Sequence, residues 1–336
     1  MAYERRSKVG LRTDRAAAMA YPSPSCAERI LPMPCTHHAR VSRLMLSTVR
    51  RALIACLAAA LWPAQASAQG ADDLLAKHAA LGNRLLLNQF QRPVVLESTE
   101  TLNHVRGDVY AVIDYPYSVV SAELNNPDHW CDVMSLHINT KYCRATQVSG
   151  TTVLNVNIGK KTPEDLANAV RVYFNYTAHS VTPQYFDIRL SAKDGPMGTS
   201  DYRITLEAVP LENAKTFLHL TYTYATSFSA KVAMRAYLAT IGADKVGFTP
   251  IAKAGAGVGQ FIGGLRGLVE RNTMRYYLAI DSYLESTNEV PAKQLDKRLN
   301  RWFSAVERYP RQLHEMNRDE YIAMKRSEYL RQKTAN

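Results

Sequence analysis

The stretch from Tyr142 to Tyr224 contains β-rich segments that follow one another without a long helix between them. Apolar and polar residues alternate clearly in Thr152–Ile158 and in Asp201–Val209, and Ser149-Gly150 is a tight connection typical of a hairpin. This pattern predicts an antiparallel sheet with one apolar face and one wet face. The predicted strands are Tyr142–Val148, Thr152–Ile158, Ala169–Ala178, Tyr185–Ala192, Asp201–Val209 and Thr216–Tyr224.

Other elements precede this stretch. The sequence predicts a polar helix near Asp72 to Leu86 and a strand from Asp108 to Ile113. A helix from about Tyr117 to Leu124 follows, and Asp128 is placed to cap a second short helix that runs through Met134. The predicted order is therefore strand, two short helices and then consecutive strands.

The periodicity changes to 3.6 residues from Ser229 onward. The clearest case is Ala292–Glu307, where one apolar stripe includes Leu295, Leu299 and Trp302. The second helix of this region has apolar residues on several sides, which indicates that it is covered on more than one face. The predicted helices are Ser229–Ile241, Ile262–Glu285, Ala292–Glu307 and Arg318–Lys333.

This order of elements, from about Val105 to Glu285, resembles that of the START-like superfamily (helix-grip, SRPBCC-type), which includes lipid-transfer proteins and polyketide cyclases. The resemblance implies an α+β fold in which a curved antiparallel sheet surrounds a long C-terminal helix and encloses a ligand cavity. The chain departs from that pattern in a glycine-rich break at Gly255–Gly264 and in extra C-terminal helices. The resulting domain map is a helical segment at 69–104, a START-like domain at 105–286 and a helical extension at 287–336.

Three local strings also resemble those of a family of exported proteobacterial proteins. They indicate kinship and carry no chemistry of their own. The strings are Asn126-Pro127-Asp128-His129-Trp130-Cys131, Asp194-Gly195-Pro196-Met197-Gly198-Thr199, and the run from Arg266 to Tyr277.

Polar residues on the helix that begins near Ile262 are the candidates for ligand binding. On a helical projection Asn272 falls within the apolar stripe that contains Tyr276, and Arg275 lies at its edge. If this helix lies in the sheet, these residues point toward the cavity, where Tyr222 and Tyr224 of the last strand share the apolar face and line the same pocket. The ligand-binding candidates are Asn272, Arg275, Tyr276, Tyr222 and Tyr224.

A structural alternative exists for each of these candidates. Asn272 and Arg275 could form hydrogen bonds within the protein, while Arg266 and Glu270 make an ordinary i, i+4 ion pair on another face. The tyrosines could be core residues with a hydroxyl at the wet end.

The segment 45–68 has the features of an export signal. Two arginines precede an 11-residue apolar run, Ala52 to Trp62, which is too short to span a bilayer. The small residues that end at Ala68 fit a signal peptidase site, so cleavage before Gln69 is expected. Residues 1–44 are expected to be untranslated or disordered, with Met45 as the true start. The predicted location is the periplasm of a Gram-negative bacterium.

Removal of this leader changes the charge and the cysteine count. The full chain has 41 basic and 30 acidic residues, and 31 and 27 of these follow Ala68, a balance of +4 instead of +11. The basic excess that would suggest a nucleic-acid partner therefore belongs largely to the leader. Cys131 and Cys143 are the two cysteines left, and a single disulfide between them is expected in an oxidising compartment.

The sequence contains no signature of catalysis, metal binding or a cofactor. Gly255–Gly264 lacks the registers of phosphate-binding loops and is interpreted as a hinge between helices. The leading hypothesis is a binding protein for a hydrophobic small molecule or lipid, with no nucleic acid and no membrane span in the mature chain. The alternatives are a cyclase-type or hydrolase-type enzyme on the same fold, or an envelope interaction module that docks through the helices from Ala292 onward.

Overall fold

The structure is a computed structural model that describes residues 69–239, 244–251 and 260–334. The predicted signal segment, including Ala68, lies outside these ranges. So does half of the predicted hinge at Gly255–Gly264, namely 255–259.

Eight antiparallel strands form one sheet in the order β1-β2-β8-β7-β6-β5-β4-β3. Strands β3 to β8 follow one another as neighbours, and β8 then pairs with β2 on its other side. This confirms the predicted antiparallel sheet. The strands are β1 (Val94–Glu100), β2 (His104–Ile113), β3 (Thr140–Val148), β4 (Thr151–Ile158), β5 (Val170–Val181), β6 (Phe186–Asp194), β7 (Thr199–Leu211) and β8 (Lys215–Thr226).

The helices precede the sheet, interrupt it once between β2 and β3, and follow it. In the described part of the chain they include α1 (69–81), α2 (Asn83–Leu86), α3 (Tyr117–Leu124), α4 (Pro127–Leu136), α5 (Phe228–Ala239), α6 (Gly264–Ser286), α7 (Pro291–Val306), α8 (Pro310–Leu313) and α9 (Arg318–Thr334). None of the helices in the described ranges is both long enough and apolar enough to cross a membrane.

The long helix α6 packs against β1, β2 and β8 on the apolar face of the sheet. One strand, two short helices, a run of antiparallel strands and a long helix across them make the helix-grip architecture of START-like proteins, with α6 as the grip helix. Strand β1 is an addition at the edge. It lies within 69–104, which the sequence suggested to be helical, so the sheet begins before the expected boundary at 105.

Irregular pairing bends several strands of the sheet. The register shifts between Thr140 and Tyr142, between Ala178 and Ser180, and between Ser200 and Arg203. Extra residues of this kind bend a strand and turn a side chain away from its usual direction. At the first shift the extra residue is Lys141, whose side chain is fully buried.

Gly107 of β2 allows α6 to lie directly on the sheet. A Cβ atom at this position would collide with the Thr273 hydroxyl and lie 3.4 Å from the Val269 carbonyl oxygen, both on α6. Thr273 is itself held against the helix because its hydroxyl donates to that same carbonyl at 2.7 Å. The absence of a side chain at 107 therefore sets the distance between helix and sheet.

Replacing Gly107 with alanine is expected to lower the free energy of unfolding by about 1 to 3 kcal/mol, the usual cost of overpacking a core. The loss should become smaller in a Thr273→Ala background, because the colliding hydroxyl is then absent. Urea unfolding of the two single variants and the double variant measures this coupling. Equal losses from Gly107→Ala in both backgrounds would contradict the contact.

Helices α7 to α9 belong to the same core as the sheet. Trp302 and Phe303 of α7 and Tyr321 of α9 are buried together, with Trp302 and Tyr321 stacked at 4.9 Å. The Tyr321 hydroxyl donates to the Leu136 carbonyl at the end of α4 at 2.9 Å. Truncation after Ser286 would therefore remove core side chains, so it cannot separate a docking surface from the body of the protein.

Cys131 of α4 and Cys143 of β3 form the expected disulfide, with their Cα atoms 5.1 Å apart. The bond closes a loop with a sequence separation of 12, for which loop-closure entropy gives about 3 kcal/mol of stabilisation. It ties α4 to the edge strand β3, which also contacts α9.

Candidate functional site

Four tyrosines meet between the sheet and α6. Tyr222 and Tyr224 come from β8, Tyr202 from β7 and Tyr276 from α6, and all four are buried. Tyr202 stacks on Tyr224 with ring centroids 5.2 Å apart, and Tyr222 lies 5.4 Å from Tyr276. We call these four residues the tyrosine cluster. Three of them are predicted site residues, and the fold brings those three together.

His137, just after α4, extends the cluster. Its ring stacks on Tyr276 at 4.9 Å and is fully buried. Burial, and then the nearby charge of Arg275, lower the pKa of His137 well below its usual value. Its Nδ1 accepts from the Asn139 backbone N–H at 3.3 Å, which places the proton of the neutral ring on Nε2. The cluster thus ends in a neutral imidazole that can donate one hydrogen bond.

Several buried polar atoms at this site have no hydrogen-bond partner among the described residues. They are His137 Nε2, Tyr224 Oη and Arg275 Nε. A buried donor or acceptor left without a partner costs about 1 to 3 kcal/mol. Three such atoms around one aromatic cluster indicate a place where a polar group of another molecule, or water, completes the hydrogen bonding.

Arg275 is directed mainly toward the C-terminal helices. Its Nη2 donates to Glu315 Oε1 at 2.6 Å and to the Leu313 carbonyl at 3.4 Å, and its Nη1 lies 3.4 Å from Asn272 Oδ1. Asn272 itself is half-buried. The terminal nitrogens of Arg275 therefore form hydrogen bonds within the protein, as the structural alternative suggested. Its Nε has no hydrogen-bond partner among the described residues.

Glu315 is shared by three cations. Besides Arg275 it lies 2.7 Å from Lys161 Nζ and 3.3 Å from Lys245 Nζ. Burial opposes ionisation of Glu315, but the charges of Arg275 and Lys161 outweigh it and hold its pKa below the usual value. The carboxylate is therefore ionised at neutral pH, and the surrounding charge stays positive.

Arg266 and Glu270 do not form the i, i+4 ion pair that the structural alternative included. Arg266 Nε donates to the Ser98 hydroxyl of β1 at 3.1 Å, and that hydroxyl donates to Glu270 Oε1 at 2.5 Å. This part of the alternative was wrong because β1, which the sequence did not predict, lies between the two side chains.

A second polar network lies on the outer face of the sheet, where α1 packs. His219 of β8 lies between Asp108 of β2, at 2.8 Å, and Glu207 of β7, at 2.9 Å. Its ring stacks on Tyr110 at 4.2 Å, and Lys77 of α1 lies over that tyrosine. Burial disfavours the charged imidazole, but the two carboxylates outweigh it and raise the pKa of His219 above 6.5.

This network should make stability depend on pH. The raised pKa means that protonated His219 stabilises the folded state below pH 6.5, and that this contribution disappears as the pH rises through the folded-state pKa. Wild type should therefore exceed His219→Gln in stability more at pH 6 than at pH 9, measured by urea unfolding. A difference that grows toward alkaline pH would contradict the assignment.

A cleft of about 570 Å³ lies elsewhere. It is lined by parts of α1, α2 and β2 and by the segment before β1, including His78, Leu85, Pro93 and Val112. At the tyrosine cluster the rings pack against one another, with neighbouring centroids 5.2 to 6.1 Å apart. The predicted site residues therefore converge in a packed aromatic interior.

Sequence reasoning missed two members of the site. Tyr202 lies on the apolar face of its predicted strand, so the alternation could have identified it. His137 follows a short helix and has no periodic signal.

The chain has been compared with known proteins. No protein-family model matches the sequence, and no curated protein matches it. Solved structures that match the chain include norcoclaurine synthase from Thalictrum flavum, with 13% identity, a TM-score of 0.29, and coverage of 44% of this chain and 80% of that chain. The Zhui aromatase/cyclase from Streptomyces sp. R1128 has 12% identity and a TM-score of 0.26, with coverage of 61% and 95%. CalU16 from Micromonospora echinospora has 10% identity and a TM-score of 0.26, with coverage of 66% and 98%. At these scores the likenesses carry no argument about activity, and the helix-grip description depends on the strand order and the position of α6.

Proposed function

We propose that this helix-grip protein binds a hydrophobic or lipid-like molecule between the sheet and α6, at the tyrosine cluster, after export to the periplasm of a Gram-negative bacterium. The observation that carries the proposal is the meeting of buried aromatic rings with polar atoms that have no hydrogen-bond partner among the described residues. Aromatic walls with a few convergent polar groups are the usual composition of a small-molecule site.

The tyrosine cluster supplies both kinds of contact. Its rings offer apolar area, and Tyr224 Oη and His137 Nε2 offer hydrogen bonds that the described protein groups leave unused. A ligand that inserts between the rings would recover the free energy lost at these atoms while burying its own apolar surface. Binding therefore requires the rings to separate, and the fluorescence of the tyrosines should change with it.

Native mass spectrometry of protein purified from the periplasm tests whether a ligand accompanies the chain. We expect an added mass that is lost on denaturation, and a polypeptide that begins at Gln69. A polypeptide that consistently carries no added mass, together with no uptake of a hydrophobic probe, would overturn the binding function. An intact N-terminal leader on the purified protein would overturn the proposed export.

A matched pair of variants locates the site. Tyr222→Leu removes a buried ring of the cluster, whereas Tyr173→Leu removes a ring that is 55% exposed on β5. The neutral dye N-phenyl-1-naphthylamine should bind Tyr222→Leu about threefold to tenfold more weakly than wild type, as expected for the loss of one aromatic contact. Tyr173→Leu should bind like wild type. Equal affinities for all three folded proteins would place the dye elsewhere.

A further inference from the structure

Arg271 of α6 is a buried cation with no acidic partner among the described residues. It is 3% exposed, and its one hydrogen bond in the described part of the chain runs from Nη1 to the Val246 carbonyl oxygen at 3.2 Å. No carboxylate of the described residues lies within ion-pair distance of it.

The surroundings of Arg271 add to the positive charge. Arg275 lies one helical turn further along α6, and its partner Glu315 is already shared with Lys161 and Lys245. Four cations therefore face a single carboxylate. Burial, and then the charge of Arg275, lower the pKa of Arg271 to about 10, and the opposing charges of Glu315 and Glu270 do not make up for them.

Other acidic groups near α6 are committed to different contacts. Glu270 precedes Arg271 in the chain, but its carboxylate accepts from Ser98, Phe248 and Thr249 on another side of the helix. Removing a guanidinium from water without a counter-charge costs several kcal/mol. A purely structural contact to one carbonyl oxygen does not offset that cost.

Arg271 lies beside the tyrosine cluster. Its charge acts on the ionisation of Tyr224, whose hydroxyl is buried and has no partner among the described residues. A guanidinium that lacks an anion and a hydroxyl that lacks an acceptor thus occur together at one end of the proposed ligand site.

We propose that the ligand is an amphiphile with an anionic oxygen head group, a carboxylate or a phosphate, which pairs with the Arg271 guanidinium and accepts a hydrogen bond from Tyr224 Oη. The inference rests on the proposed function, since the apolar part of the molecule would lie among the rings. Planar, forked donors suit both head groups.

Competition between ligands of equal chain length tests the head group. Dodecanoate, dodecyl phosphate and dodecanol are each titrated against bound N-phenyl-1-naphthylamine, using the mature protein. We expect at least one of the two anions to compete about tenfold or more better than the alcohol, and which anion does so identifies the head group. The preference should disappear in Arg271→Gln and return in part in Arg271→Lys. Arg326→Gln, which removes an arginine that is exposed on α9, should behave like wild type.

Stability without ligand separates binding from a structural role. If Arg271 serves the ligand, ligand-free Arg271→Gln should be as stable as wild type or more stable, because an uncompensated charge has been removed. A marked loss of stability would make Arg271 structural and would overturn the inference.

The competition also distinguishes the two proposals. If the alcohol and both anions compete equally well in wild type and in Arg271→Gln, the head-group inference fails while ligand binding stands. If neither the dye nor any of the three competitors binds, the proposed function itself fails, and this inference fails with it.

Discussion

Glu328→Gln is expected to lower the free energy of unfolding by about 3 to 5 kcal/mol, the usual cost of removing one partner from a buried ion pair. Glu328 of α9 lies between two buried lysines, 3.0 Å from Lys141 Nζ and 2.9 Å from Lys325 Nζ. Both ammonium groups also donate to backbone carbonyls, so they cannot move to solvent without breaking further bonds. Glutamine would leave two positive charges in the interior with no anion between them.

The matched control is Asp296→Asn. Asp296 of α7 pairs with Arg326 of α9 at 2.9 Å, but both side chains are about half exposed. Exposed pairs contribute about 0 to 1 kcal/mol, so this carboxylate-to-amide change should have a small effect. Thermal and urea unfolding of both variants against wild type measures the contrast. Similar losses in the two variants would show that Glu328 does not hold α9 to the sheet.

This lysine pair explains why α9 is part of the domain. Lys325 of α9 reaches the end of α4, where its Nζ donates hydrogen bonds to the His137 and Thr140 carbonyl oxygens, both 2.8 Å long. Burial, opposed by Glu328, lowers the pKa of Lys325 to about 8. The helix is thus fixed to the residues that carry His137 and the disulfide, which places the C-terminal helices next to the candidate site.

The sequence predicted the sheet well because its strands alternate. In β7 the buried residues are those that the alternation selects, including Tyr202, Ile204 and Leu206. In β4 the agreement is partial, because Val153 and Asn157 on the opposite face are buried as well. Strand β1 escaped prediction because it lies at the edge of the sheet, where most of its residues are only partly buried and the alternation is weak.

The polar residues of the interior were the part that the sequence could not predict. Periodicity places charged residues on solvent-facing sides, but Arg271, Lys325 and Glu328 are buried because helices and loops distant in sequence cover them. Whether a charge is neutralised by a residue almost two hundred positions away, as with Lys141 and Glu328, is a property of the fold and has no local signal. Asn272 and Arg275 were identified because they interrupt an apolar stripe, which is a local signal.

Glu270→Gln is the second substitution for which we expect a large effect, a loss of about 3 kcal/mol in the free energy of unfolding. The fully buried carboxylate accepts four hydrogen bonds. They come from the Ser98 hydroxyl at 2.5 Å, the Thr249 hydroxyl at 2.6 Å, and the backbone N–H groups of Phe248 and Thr249 at 2.5 and 2.9 Å. An amide retains one oxygen and turns two donors toward the remaining donors. Since a hydrogen bond to a charged group contributes about 1.5 to 3 kcal/mol, the lower end of that range for two lost bonds gives this estimate.

The same substitution should also affect the surroundings of Arg271. Glu270 holds the segment that contains Val246, whose carbonyl is the hydrogen-bond acceptor of Arg271. Urea unfolding measures the loss of stability, and hydrogen exchange at the backbone amides of Phe248 and Thr249 should become faster than in wild type. Glu289→Gln is the control, because Glu289 pairs with Lys297 at the protein surface, and it should leave both measurements unchanged. Unchanged exchange in Glu270→Gln would mean that this carboxylate does not hold the segment against β1 and α6.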